Sequence, residues 1–288
     1  MSERDDSVSS LDVLVGEIAD LRPLPPVAAR VLAISDSEHF SAHELAQAIS
    51  SDPALTAKVL QLANSAYYGF PRRISTVRDA VVLLGFRAIR SATLAACVVE
   101  TMPRGSVLDH TAFWRFSVTV ALLAETLARA SHLHADEAFS AGMLHNIGRL
   151  ALDQARPDVL RNCVTLARQE GISLADAQRR LLGFTDAEVG GALAFQWNFP
   201  PDLAIAVAQH QAPLESLDDP NGLAALVVRA RTFARSQGLC DGLESPALTA
   251  PASEWFSAPL APLLEQGGGM DGLVQRAAVF LNTAVVSP

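Results

Sequence analysis

Ala141-Gly142-Met143-Leu144-His145-Asn146-Ile147-Gly148-Arg149-Leu150 is the stretch on which the chain turns. It is crowded with apolar residues, and Asp136 just upstream supplies a helix N-cap. The pattern predicts a helix that runs through His145. At its centre an imidazole stands beside a carboxamide. Imidazole nitrogen is a good ligand for a divalent cation, whereas an Asn oxygen is neutral and weaker than a carboxylate. Function therefore depends on what else converges on this pair.

Working outward, almost every periodic segment reads as helix. Ser41-Ala42-His43-Glu44 is a capping box, and Asp52-Pro53 is an N-cap followed by Pro at the first helical position. Thr76-Val77-Arg78-Asp79 opens a short helix that Gly85 stops. Arg87 to Met102 follows, then Phe113 to Ala130, with Arg115, Glu125 and Arg129 at exposed positions. Val159–Glu170, Ser173–Leu182, Val189–Trp197 behind the capping box Thr185-Asp186-Ala187-Glu188, and Pro201 to His210 complete the central set. No long alternating pattern signals strands. The fold class is all-α: a multi-helix bundle with an N-terminal helical subdomain and a helical C-terminal extension.

The boundaries expected are a disordered lead over 1–10, an N-terminal helical subdomain over 11–108, a second helical subdomain over 109–215 and an extension over 216–288. The first break is marked by Pro103, Gly105 and Ser106. In the extension, Leu223–Ser236 and Met270–Val286 are helical, and Gly238–Gly269 is mostly loop. The two tail helices either make a homodimer surface or pack back on the main domain; both uses need the same apolar stripe.

Half of the 288 residues are hydrophobic and 18% are charged, which describes a folded chain. A net charge of −9 argues against a general nucleic-acid sheath. No apolar run spans a bilayer, since Val118–Ala128 is broken by Glu125. The polar start Met1-Ser2-Glu3-Arg4-Asp5-Asp6 is no secretory signal. Cys97, Cys163 and Cys240 are scattered without CxxC pairing, as expected of reduced cytoplasmic thiols packed as small hydrophobes. Lys58 is the only lysine. The arginine bias fits either anion recognition by guanidinium forks or the codon usage of a GC-rich genome.

Ordered motifs then accumulate: Leu24-Pro25-Pro26, Asp52-Pro53-Ala54-Leu55, Leu62-Ala63-Asn64-Ser65-Ala66-Tyr67-Tyr68, Ala80-Val81-Val82-Leu83-Leu84-Gly85 and Phe113-Trp114. Gly142 to Gly148, Glu188-Val189-Gly190, Trp197-Asn198-Phe199-Pro200 and His210 follow. Over roughly residues 20–215 the chain resembles the HDOD domain, a bacterial relative of the HD and HD-GYP metal-dependent phosphohydrolases. The resemblance implies an HD-like all-α bundle in a signalling protein without hydrolase activity.

In HD enzymes a His-Asp doublet works with further His and Asp ligands to bind metal that activates water. Here Asn146 stands where the doublet has Asp. The helix Phe113–Ala130 has no His or Asp to serve as the early ligand. Asp186 stands where the family commonly has His, and His210-Gln211 where it often has His-His. The vestigial positions are His145, Asn146, Asp186, Glu188 and His210. If any ion binds, a single Fe, Mn or Zn on His145, Asp186 and His210 is the expected form; no cofactor and no catalytic residue is expected. Each position also has a plain structural use. Asp186 and Glu188 suit the positive end of a helix, and the histidines can hydrogen-bond across an interface.

Asn64, Ser65, Tyr67, Tyr68, Arg72 and Arg73 form a second candidate, a ligand or partner patch, with Arg87 and Arg90 nearby. Aromatic and guanidinium groups together can stack a base and grip phosphate. The structural use of Asn64-Ser65 is to end a helix, and the arginines can be solvated surface. Trp114 and Trp197 read as core. The expected function is a non-enzymatic signalling module acting through protein contacts or ligand sensing. By family analogy its partner is a sensor kinase or a cyclic-dinucleotide enzyme. The competing function is a degenerate metal-dependent phosphohydrolase acting on a nucleotide or cyclic dinucleotide.

Overall fold

The computed structural model describes residues 11–19, 25–35, 42–64, 73–101, 105–243, 264–265 and 268–284. Among these, every regular element is a helix and none is a strand. The expected lead over 1–10, the capping Ser41 and the loop over 244–263 lie outside the described residues.

Local chemistry accounts for the helix starts. The N-terminal layer comprises α1 (residues 11–19), α2 (Pro26–Ser35), α3 (Ala42–Ser50), α4 (Pro53–Ala63), α5 (Val77–Leu84) and α6 (Phe86–Thr101). Asp52 Oδ1 accepts from the Ala54 and Leu55 amides at 2.9 and 3.1 Å, opening α4. Thr76 Oγ1 accepts from the Asp79 amide at 3.0 Å, opening α5, and Gly85 closes it with φ 93°.

Next along the chain are α7 (His110–Ala130), α8 (Ala135–Leu144), α9 (Ile147–Ala155), α10 (Pro157–Glu170), α11 (Leu174–Leu182), α12 (Asp186–Gln196) and α13 (Pro201–Gln209). α14 (Leu223–Ser236) and α15 (Gly269–Ala284) follow. α7 is the central post. Its most extensive partner is α8, and α14 and α15 pack against it as well. α15 also reaches α4, and α14 reaches α8 and α13, so both tail helices fold back on the body. One hydrophobic cluster runs from Leu14 to Ala277 and includes Trp114 and Trp197. Cys97 and Cys163 are buried, whereas Cys240 is exposed, against the expectation that all three pack as hydrophobes.

The quoted stretch departs from its expected form. The helix does not run through His145: α8 ends at Leu144, His145 is its C-cap, and Asn146 begins a separate helix, α9. Asp136 is not the cap either. That position is His134, without a side-chain bond, and Asp136 lies inside the first turn. The break turns α9 against α12. At their crossing a Cβ on Gly148 would stand 1.9 Å from the Asp186 carbonyl oxygen and 2.3 Å from the Gly190 nitrogen. Only hydrogen at position 148 permits this approach.

α9 also holds the segment that leads into α7. The buried Asp153 carboxylate accepts from the Ser106, Val107 and Leu108 amides at 3.2, 2.8 and 3.3 Å. Asp109 then caps α7 through the Ala112 amide at 3.0 Å, and its own amide donates to the Gly242 carbonyl at 2.9 Å.

Candidate functional site

The helix break brings His145 to the C-terminal end of α8, fully buried. His210 holds the matching place at the end of α13, also buried. Each ring anchors Nδ1 on the carbonyl three residues back, His145 on Gly142 at 2.6 Å and His210 on Val207 at 2.7 Å. Each Nδ1 is therefore the N–H donor, and each Nε2 presents a lone pair. The rings meet edge to face with centroids 5.0 Å apart. Burial pushes both imidazoles well below their ordinary value. His210 adds to the effect on His145, and the Arg231 and Arg149 charges act on both. Both rings are neutral at physiological pH.

Asn146 is buried at the start of α9 without capping it, and neither amide atom has a hydrogen-bond partner among the described residues. Asp186, the first residue of α12, is buried, but its carboxylate is committed. Oδ2 accepts from Arg149 Nε at 2.6 Å and Oδ1 from Gln211 Nε2 at 2.5 Å. Glu188 does not join this group. It completes the capping box of α12 with Thr185 and pairs with Arg179 at 3.1 Å on the outer face.

The sequence did not single out what occupies the centre. Arg149 is 2% exposed and also lies 2.8 Å (Nη1) from Asp241 Oδ2. Burial opposes its charge, but the Asp186 and Asp241 carboxylates outweigh burial and raise its pKa above the ordinary value. Asp241 answers in kind. Despite burial, Arg149, Arg235 and Arg231 hold its carboxyl far below the usual range. Arg231 is buried too; burial and neighbouring Arg235 lower it to about 10, which leaves it protonated at neutral pH. A signal existed for Arg149, a lone charge between Gly148 and Leu150 in an apolar run. None existed for Asp241, which lies in a segment read as loop.

Two imidazoles with Nε2 lone pairs resemble the nitrogen half of an HD metal site, but only His145 Nε2 has no hydrogen-bond partner among the described residues, whereas His210 Nε2 accepts from Gln211 Nε2 at 3.2 Å. The oxygen half does not fit. Asn146 is neutral, Asp186 is spent on Arg149 and Gln211, and among the described residues no three His, Cys, Asp or Glu side chains are grouped to hold an ion. Three guanidiniums (Arg149, Arg231, Arg235) face two carboxylates (Asp186, Asp241), so the cluster already carries excess positive charge.

Of the second candidate patch, Ser65, Tyr67, Tyr68, Arg72 and the Arg87 side chain lie outside the described residues. Asn64 and Arg73 line one open cavity of about 560 Å³. The Asn64 amide is occupied by backbone: Nδ2 donates to the Leu60 and Ile74 carbonyls at 2.8 and 2.7 Å, and Oδ1 accepts from the Ile74 amide at 2.7 Å. It ends α4 and fastens the chain returning to α5.

Comparison with known proteins agrees with this architecture. The HDOD domain profile matches residues 21–213. An HDOD domain protein with unknown function from Geobacter sulfurreducens is 25% identical, with 97% of this chain and 100% of that one covered and a TM-score of 0.78. A "putative signal transduction protein" from Marinobacter aquaeolei is 25% identical, with coverage of 98% and 65% and a TM-score of 0.75. A "putative phosphohydrolase" from Shewanella amazonensis is 27% identical, with coverage of 95% and 98% and a TM-score of 0.71. An uncharacterized protein of Treponema pallidum is 24% identical over 204 residues, which are 68% of this chain; the match spans 39% of that relative's length. Among the described residues no helix is long and apolar enough to cross a membrane. With its profile matched over most of the chain and its helical order shared by these structures, the protein belongs to the HDOD domain family.

Proposed function

We propose that this chain is a non-enzymatic, cytoplasmic signal-transduction module of the HDOD kind, acting through protein contacts or ligand sensing. One observation carries this reading: Asp186, the carboxylate left beside His145 and His210, is bound on both oxygens by Arg149 and Gln211. A divalent cation would have to displace a buried guanidinium and then sit among two more. In a low-dielectric interior that repulsion is strong. The cluster instead works as a pin. It joins the ends of α8 and α13, the starts of α9 and α12, the middle of α14 and the following Asp241, so a shift in one helix is felt by the others. The relative described as a signal transduction protein supports a signalling role. A sensor kinase or a cyclic-dinucleotide enzyme is the partner that family analogy suggests.

A second reading, a degenerate phosphohydrolase acting on a nucleotide or cyclic dinucleotide, draws on the Nε2 lone pairs of His145 and His210 and on the Shewanella amazonensis structure described as a "putative phosphohydrolase". A bound Fe, Mn or Zn ion would supply an activated water there. Metal content by plasma mass spectrometry, paired with phosphoester turnover, tests the two. The expected result is metal far below one equivalent and no turnover that His145→Ala alters. Near-stoichiometric metal and turnover, both lost in His145→Ala, overturn the non-enzymatic reading.

A further inference from the structure

We propose that the groove between α8, α13 and α14 docks a Lys/Arg-bearing apolar segment of a different protein. The groove holds about 390 Å³, and none of the residues of the buried cluster lines it. Two apolar side chains in it are open: Leu133 is 42% and Ile205 40% exposed, with half-buried Leu223 and Ala224 and the buried Leu217 and Leu226 lining the groove beneath. On α13, Asp202, Ile205 and Gln209 follow the helical spacing of a single face, while Leu203, Ala204, Ala206 and Val207 go to the core.

The rim decides the occupant. Glu137, Asp202, Asp218 and Asp219 are all exposed around the floor, and no Lys or Arg is among the described lining residues. The positions of Glu137 and Asp202 in the first turns of α8 and α13 suit the helix dipole. Helix dipoles do not explain why Leu133 and Ile205 lie open between four carboxylates. A partner that covers the floor must bring positive charge to its edge, because closing an interface over the exposed Asp202 and Asp218 carboxylates desolvates them. Nucleotides and phosphopeptides are excluded from this groove by like charge. A two-fold contact between copies of this groove would set its own carboxylates against one another.

This inference extends the partner-binding side of the proposed function. It uses residues outside the buried cluster, so it fails or stands separately from the metal and turnover test on His145. The experiment is selection of a displayed random-peptide library on the full chain. Selected peptides are then measured by fluorescence anisotropy against the full chain, an Asp202→Asn/Asp218→Asn variant and Ile205→Asp. The paired Asn variant changes only exposed side chains, so it reports on binding even where Ile205→Asp unfolds the protein; circular dichroism checks both. The expected result is enrichment of Lys and Arg beside Leu, Ile, Met or Phe. Affinity should fall with salt and by about tenfold or more in the Asn variant. Peptides that bind the variants as well as the parent, acidic selections, or no enrichment overturn the proposal. A concentration-dependent dimer abolished by Ile205→Asp also overturns it, because the occupant is then a second copy.

Discussion

Arg149 Nε lies 2.6 Å from Asp186 Oδ2 with both side chains buried, so a full guanidinium charge sits where an HD enzyme would gather metal ligands. The pair spans the crossing of α9 and α12. It forms because the helix ends at His145, restarts at Asn146, and passes Gly190 with no side chain at Gly148. Asp241, from beyond α14, completes it from the other side at 2.8 Å.

Arg149→Met should leave Asp186 and Asp241 buried without their main counter-charge. The expected loss is about 3–5 kcal/mol in urea unfolding. Adding Asp186→Asn to that variant should recover part of it, since that carboxylate is then no longer a stranded charge, while Asp241 keeps Arg231 and Arg235 as counter-charges. A single variant within about 1 kcal/mol of the parent would show that the pair does not pin the helices.

Acid should destabilise the chain from near pH 6.5 downward. Burial holds His145 and His210 neutral in the folded state, whereas the unfolded chain titrates them near 6.5. Below that pH the unfolded state binds more protons, so stability present above 6.5 is lost as pH falls toward the depressed folded values. Each ring contributes at most about 1.4 kcal/mol per pH unit. Melting temperature should therefore be lower at pH 5.5 than at 7.5, and the difference should shrink in His145→Gln. Asp241 titrates in a separate window. Its depressed carboxyl adds stability that persists above about pH 4 and is lost only in stronger acid.

Gly148→Ala should push α9 from α12, because the new Cβ meets backbone at 1.9 Å and backbone cannot swing aside. The cost should be about 3 kcal/mol by denaturant unfolding. Gly190→Ala should cost less, since its nearest contacts are at 3.0 Å and one is the Val207 side chain. Equal losses at the two positions would contradict this crossing geometry.

Asn64→Ala should free the Ile74 amide and the Leu60 and Ile74 carbonyls. The loss expected is about 1–3 kcal/mol, with faster amide hydrogen exchange at Ile74. An unchanged exchange rate there would mean that Asn64 does not fasten this turn, and would return it to the candidate recognition patch.

Most helices were legible in the sequence because their signals are local. Thr76, Ser173 and Thr185 each accept from the amide three residues on, as an N-cap does. The apolar spacing of Phe113 to Ala130 likewise gave α7, and the ordered motifs gave the family. The break at His145-Asn146 was not legible. Gly142-Met143-Leu144 and Ile147 continue an apolar helical pattern on both sides, and nothing local distinguishes one helix from two that turn against α12.

By itself, then, the sequence determined an all-α chain, its helix starts, and a His145-Asn146 doublet short of one carboxylate. It also held both histidines, Asp186 and Arg149 in plain order. Only the tertiary structure decided what they do together. Asp186 could have been a ligand or a helix-end acid. It became the partner of Arg149 because the crossing of α9 and α12 buries both, and a buried carboxylate must find a counter-charge. Asp241 joins from a segment with no sequence signal, because charge pairing depends on distance in space and not on position along the chain.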